Sequence, residues 1–346
     1  MGRNSSIQAT LLELALSLAS AAHAQTAPQI IWSAPNPNLL ANSIQGVAWP
    51  AAGGRVAVGS TDRWVRSRNS STGALQFSVL QPHRARSADQ VFYSTDSTLL
   101  GVHNSNRGGE FRIHRASDGT FLGTLVITLQ PNGVVTLAPD AQLTASTGDT
   151  TDARWRLSDL SVVRVVGSGY DKISTNWVFS PDRTLQASAS QGTITIQRRS
   201  DGATVRLLTA GAARGTTPMA FSPDNTRLAA WASTPDETRL FRISDGALVM
   251  RFADATTNAG IVAVRFSPGG TRLVTTGYTP FVANDGTMDQ RGAIRFFRVS
   301  DGALRQSFDA GTGIGVTSPV AWSPSFTRFV YGTYEGTAVV AVVPPP

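Results

Sequence analysis

Seven times along this chain an apolar run closes on a large residue and a tight turn or short loop follows. The closing residues are Trp49, Tyr93, Leu137, Phe179, Phe221, Phe266 and Trp322, spaced by 44, 44, 42, 42, 45 and 56. The stretch from Val262 to Phe308 carries the unit whole. It runs through Val262-Ala263-Val264-Arg265-Phe266, turns at Ser267-Pro268-Gly269-Gly270, and runs again through Arg272-Leu273-Val274-Thr275-Thr276. After a longer polar segment come Ala293-Ile294-Arg295-Phe296-Phe297-Arg298-Val299, the turn Ser300-Asp301-Gly302, and Ala303 to Phe308. Short alternating or β-branched runs punctuated by Pro-Gly and Asp-Gly predict four antiparallel strands. One such unit cannot bury its own apolar face, so neighbouring units must stack. A period in the low forties with four strands per unit predicts an all-β fold, a seven-bladed β-propeller with one blade per repeat. The long segment Tyr278 to Arg291 accounts for the one wide spacing.

Counting strands predicts how the ring closes. The seventh repeat holds three runs, Val320 to Trp322, Arg328 to Tyr331 and Ala338 to Val343, before three prolines end the chain. One apolar run is left over in front of the first repeat, Gln29-Ile30-Ile31-Trp32. Placed as the outer strand of the last blade, it completes that blade and locks both ends of the domain.

The order Phe-Ser-Pro-Asp at Phe179 and Phe221, Thr-Arg-Leu-Ala at Thr226, a strand ending in an aromatic pair, and Ser-Asp-Gly followed by Ala-Leu resembles WD40-type repeats. The resemblance covers residues 45 to 343 and implies the propeller fold. It implies little about activity, because propellers host many functions. The chain departs from the family at its signature. Where the Trp-Asp dipeptide belongs stand His114-Arg115, Trp155-Arg156, Gln197-Arg198, Phe241-Arg242 and Phe297-Arg298, and the Gly-His element is missing. The resemblance therefore implies that the hydrogen-bonded network many members use to stiffen blades is absent, and that apolar packing and turn chemistry must hold the blades.

Composition narrows the function. The chain has no cysteine, which excludes disulfides, thiolate metal sites, cysteine nucleophiles and covalently attached haem. Its net charge of +7 comes from arginine, since Lys172 is the only lysine. The arginines recur once or twice per repeat, as on a solvated outer face, so nucleic acid is not the expected partner. Arg3, the apolar stretch Leu11 to Ala22 and the small-x-small site Ala22-His23-Ala24 predict a signal peptide at 1–24. A single propeller domain at 25–346 then remains, secreted or periplasmic. The apolar stretch is too short to span a bilayer, so no permanent membrane anchor is expected.

In a four-stranded blade the first-to-second and third-to-fourth turns share one face. Here those are tight and uniform, built on Ser-Pro-Asp and Ser-Asp-Gly. Length varies only on the other face, in the second-to-third loops and the connections between blades, and binding residues gather on such loops. His83, Arg84 and Arg86, with Arg107, form a candidate basic corner there. Asp236, Glu237, Asp285 and Asp289 form an acidic side, with Trp231, Tyr278 and Phe281 as aromatic anchors or as caps of the blade core. A two-signed face of this kind orients a protein or other extracellular macromolecule. Solvated polar loops are the plainer reading of the same charges.

Enzyme signals are thin. His83 and His103 approach one blade but lack a nearby acidic partner for a metal. Gly311-Thr312-Gly313-Ile314-Gly315 joins two strands and opens no helix, unlike a phosphate loop. Asn284-Asp285-Gly286 with Asp289 reads as a hairpin turn rather than a calcium loop. No nucleophile elbow, Ser-x-x-Lys pair or His-Glu-x-x-His occurs. The expectation is a non-catalytic binding or assembly scaffold with no cofactor. A hydrolase or lactonase-like enzyme with its site at the central channel, and a subunit of a cell-surface array, are the competing classes.

Overall fold

The structure is a computed structural model. It describes residues 29–343 apart from 38–42, 83–87, 89, 95, 104–109, 127–133, 138–141, 147–150, 157–161, 168–176, 183, 191, 212–216, 234–235, 254–259, 283–287, 313–319 and 334. The predicted signal segment lies outside the described residues.

The described chain is all-β. An N-terminal strand, β1 (Ile30–Pro35), comes before the first sheet, β2 (Ile44–Ala48), β3 (Arg55–Ser60), β4 (Trp64–Asn69) and β5 (Leu75–Leu80). The second sheet is β6 (Gln90–Tyr93), β7 (Leu99–His103), β8 (Glu110–Arg115) and β9 (Phe121–Val126). The third is β10 (Val134–Leu137), β11 (Gln142–Ser146), β12 (Thr151–Arg156) and β13 (Val162–Gly167). The fourth is β14 (Trp177–Phe179), β15 (Leu185–Ser190), β16 (Thr193–Arg198) and β17 (Thr204–Thr209). The fifth is β18 (Met219–Phe221), β19 (Arg227–Ser233), β20 (Asp236–Arg242) and β21 (Leu248–Ala253). The sixth is β22 (Gly260–Phe266), β23 (Arg272–Val282), β24 (Met288–Arg298) and β25 (Leu304–Thr312). The last is β26 (Ala321–Trp322), β27 (Arg328–Gly332) and β28 (Thr337–Val342), with β1 antiparallel to β28 on its outer edge.

Burial falls from the second and third strands toward the fourth. β3 is buried from Val56 to Ser60, whereas β5 exposes Leu75 and Leu80, and β17 exposes Leu207. Strands covered on both faces can be apolar throughout, and an outer strand alternates. Apolar clusters lie between successive sheets. Ile194, Ile196 and Leu208 pack with Phe221 and Leu228 between the fourth and fifth sheets. Trp231, Leu240 and Phe252 pack with Val264, Phe266 and Phe297 between the fifth and sixth. Phe296 meets Phe329 and Tyr331 between the sixth and last. The last sheet packs in turn on the first, through Trp32, Val330 and Val340 against Val47, Val56 and Val58. Val65 and Ala57 then meet Leu100 and Val102 of the second. The first and last described strands, β1 and β28, are thus neighbours in space.

The turns are built alike. The serine of each Ser-Pro turn is buried and its Oγ accepts the N–H of the residue that opens the next strand, as in Leu185 N to Ser180 (2.9 Å) and Arg227 N to Ser222 (2.9 Å). The Ser180 hydroxyl in turn donates to Asp182 Oδ1 at 2.6 Å. At the third-to-fourth turns the glycine takes a left-handed φ, 77° at Gly246 and 71° at Gly302, which side chains with a Cβ resist. The arginines at the signature position have a partner there: Arg115, Arg198, Arg242 and Arg298 each pair with the aspartate three residues on.

Candidate functional site

The loop-bearing end of the sheets is where the structure differs most from one repeat to the next. Among the described residues its largest feature is in the sixth sheet. β22 pairs with β23 only as far as Gly260↔Tyr278, and β25 pairs with β24 only as far as Ala293↔Asp309. β23 and β24 continue together beyond both neighbours through Thr279↔Arg291, Pro280↔Gln290, Phe281↔Asp289 and Val282↔Met288. The expected loop from Tyr278 to Arg291 is therefore a two-stranded arm for most of its length. Pro280 and the polar composition hid it, because a ribbon outside the sheet has no apolar face to advertise. Phe281 and Asp289 stand opposite each other on this arm; Asp285 lies outside the described residues. Tyr278 sits at the root, half-buried, its ring against the backbone of Gly260: a Cβ there would stand 1.9 Å from Cζ. The tyrosine is a packed part of the sheet end.

The expected loop from Trp231 to Thr238 is likewise a hairpin, with Ser233 opposite Asp236 and Trp231 opposite Thr238. Trp231 belongs to the core between the fifth and sixth sheets, and its indole N–H donates to Asp236 Oδ1 at 2.7 Å. It is a core cap and offers a partner little surface. Glu237 is buried and accepts from Arg239 Nε at 2.6 Å and from Arg251. Two guanidinium groups thus offset its charge locally, which takes it out of any exposed acidic surface. The cross-strand pair Arg239↔Arg251 explains the arrangement, since two arginines face to face need an anion between them.

His83, Arg84, Arg86 and Arg107, the expected basic corner, lie outside the described residues. His103 is buried and stacked on Phe111, ring centroids 5.8 Å apart. Among the described residues no group of three His, Asp or Glu side chains is placed to hold a metal ion.

One cluster at this end escaped sequence reasoning. In the β3–β4 hairpin Arg66 donates to Asp62 Oδ2 at 2.6 Å and to Ser60 Oγ at 3.2 Å. Ser60 also donates to Asp62 and accepts from Asn36 Nδ2 at 3.2 Å, tying in the segment after β1. Burial works to raise the Asp62 carboxyl, but hydrogen bonds from Arg66, Ser60 and the Trp64 N–H hold it below the usual carboxylate range. Nearby in sequence, Gln81 is fully buried with neither amide atom hydrogen-bonded. Asp-x-x-x-Arg spacing across a hairpin is the only sequence signal for this pair, and it is common on sheets.

On the opposite, tight-turn end the arginines that open second strands differ in what they reach. Arg55 crosses to the next sheet and donates to the Ala116 carbonyl, and Arg328 donates to Ser71 Oγ at 3.4 Å. Arg227 and Arg272 make no side-chain hydrogen bond among the described residues, and both line one groove. No protein-family model matches the chain, and no curated protein matches it.

Proposed function

We propose that the protein is an exported, WD40-like seven-bladed β-propeller, closed by its N-terminal strand, that acts as a non-catalytic scaffold. Its loop-bearing face, with the β23–β24 arm at the centre of the contact, recognises a protein or other extracellular macromolecule. The arm carries this reading. Among the described residues no third strand pairs with its outer rungs, and a two-stranded ribbon is marginal by itself in water. Four extra rungs therefore add little to the fold, and they place Phe281 and Asp289 opposite each other on a ribbon that extends past the paired part of its sheet. The seven repeated sheets, the apolar packing of the last on the first and the pairing of β1 with β28 support the closed ring.

The test replaces 279–291 by a two-residue Asn-Gly turn. Immobilised full-length and trimmed proteins are compared for what they retain from the producing cell's exported fraction, identified by mass spectrometry. A species kept by the parent and lost on trimming, with melting temperature unchanged, is the expected result. Equal retention by both proteins would overturn the reading. Export has its own check, since intact mass should show a mature chain starting at Gln25; a chain retaining Leu11 to Ala22 would refute it.

A further inference from the structure

The face the loops do not occupy carries a candidate site of its own. A groove of about 390 Å³ lies at the junction of the fifth and sixth sheets and is lined by Arg227, Arg272, Arg298 and Arg305 above Phe297 and Val299. Phe297 is 2% exposed, so it serves as a floor and the methylene stems of the arginines form the walls. Two carboxylates answer the four guanidinium groups: Asp224, which interacts with the charge of Arg227, and Asp301, paired to Arg298 and held down to about 2 by that side-chain hydrogen bond first and by the Ala303 N–H second. Two positive charges are left over in one groove. Burial draws the Arg272 guanidinium below its ordinary value, and that side chain makes no hydrogen bond among the described residues.

Two other junctions show what the corresponding arginine does when it finds a partner. At the first-to-second junction the arginine that opens the second strand, Arg55, reaches across and is bound to the carbonyl of Ala116, the residue after the β8 arginine. From the last sheet to the first, Arg328 likewise reaches Ser71. Arg227 holds the same place in the fifth sheet, and Val299 the place of Ala116, yet no such bond forms between them. The guanidinium groups that are tied to a neighbouring sheet there keep donors to spare here; a groove of about 810 Å³ also lies at the first-to-second junction, beside Arg55 and Arg115, but its second-strand arginine is already bound.

We propose that this groove binds a phosphate monoester with an apolar organic body. The charge argues for phosphate over carboxylate, because a monoester carries close to two negative charges at neutral pH and so matches an excess of two. Planar guanidinium groups match its oxygens two at a time. The volume argues for an ester over the bare ion, since about 390 Å³ falls within the range of small-molecule sites. This goes beyond the loop-face reading and does not depend on it.

Calorimetric titration of the full chain with 1-naphthyl phosphate, inorganic phosphate and 1-naphthol tests the proposal. The expected result is saturable binding of 1-naphthyl phosphate, with the other two weaker by about tenfold or more, as befits an anion and a body each contributing. Arg272→Ala and Arg305→Ala should each weaken it about tenfold, the loss of a charge-assisted hydrogen bond. Arg328→Ala, on the same face but tied to Ser71, should leave it unchanged. Circular dichroism and melting confirm that each variant is folded. The proposal is overturned by no binding of 1-naphthyl phosphate, by equal affinity for inorganic phosphate or naphthol, or by equal losses from Arg328→Ala.

Discussion

The turns rest on single side chains that the sequence repeats. Ser222 is 4% exposed, its hydroxyl donates to Asp224, and its Oγ accepts the Arg227 N–H that would otherwise be an orphan at the start of β19. Ser222→Ala removes both roles and leaves a partly buried N–H without its partner, so it should cost about 1.5 kcal/mol. Ser244 is exposed and its side chain makes no bond among the described residues. Ser244→Ala should therefore change stability by less than about 0.5 kcal/mol. Denaturant unfolding of both variants decides between a structural and an incidental serine; equal effects would contradict this account. These turns were legible in the chain, because Ser-Pro-Asp at fixed spacing states its own hydrogen bonds. Glu237 was not: nothing in Asp-Glu-Thr-Arg says that Arg251 arrives from the next strand to share its carboxylate.

At the level of elements, β1 is the one strand that joins a sheet far from it in sequence. Trp32 drives it. The ring is 8% exposed, packs in the cluster shared by the last and first sheets, and donates its N–H to the Ser70 carbonyl at 3.1 Å. Gly73 makes room, since a Cβ there would stand 2.9 Å from the indole. Trp32→Ala should destabilise by about 3 kcal/mol, the cost of emptying an aromatic site. Deleting 29–35 should do more, baring the edge of β28 and promoting aggregation. Thermal unfolding with light scattering reads both. A deletion that melts like the parent and stays monomeric would mean that β1 adds nothing. The arm from 279 to 291 is the contrasting element: it should be removable without loss of stability, because among the described residues no third strand pairs with its outer rungs.

Across the whole molecule, one electrostatic device is repeated. The carboxyls of Asp62, Asp96, Asp118, Asp182, Asp201, Asp224, Asp245 and Asp301 all lie below the ordinary value near 3.8, and Asp301 falls to about 2. Burial opposes this most at Asp62 and Asp182, where hydrogen bonds from neighbouring donors outweigh it. A carboxyl whose folded pKa is depressed contributes stability above its unfolded pKa and loses it as pH falls through the folded value. Melting temperature should therefore be flat above about pH 5 and fall between about pH 4 and pH 2. Converting Asp118, Asp201, Asp245 and Asp301 together to asparagine should shallow that fall. An acid limb of unchanged depth would show that the turn aspartates do not set it.

By itself the sequence determined the repeat, the four strands of each unit, the turn chemistry and the spare N-terminal strand. All of these follow from local propensity and from a period that any stacked β-unit must keep. Which charges are available to a ligand was decided only in three dimensions. Trp231 and Glu237, candidate binding residues by their place in the chain, are taken up by Asp236, Arg239 and Arg251 once the fifth sheet forms. Arg227 and Arg272 sit at strand starts like Arg55 and Arg328, yet they remain open where those two are bound. The physical reason is range: propensity and turn bonds act within a few residues, whereas the pairing of a charge depends on which strand the fold lays beside it.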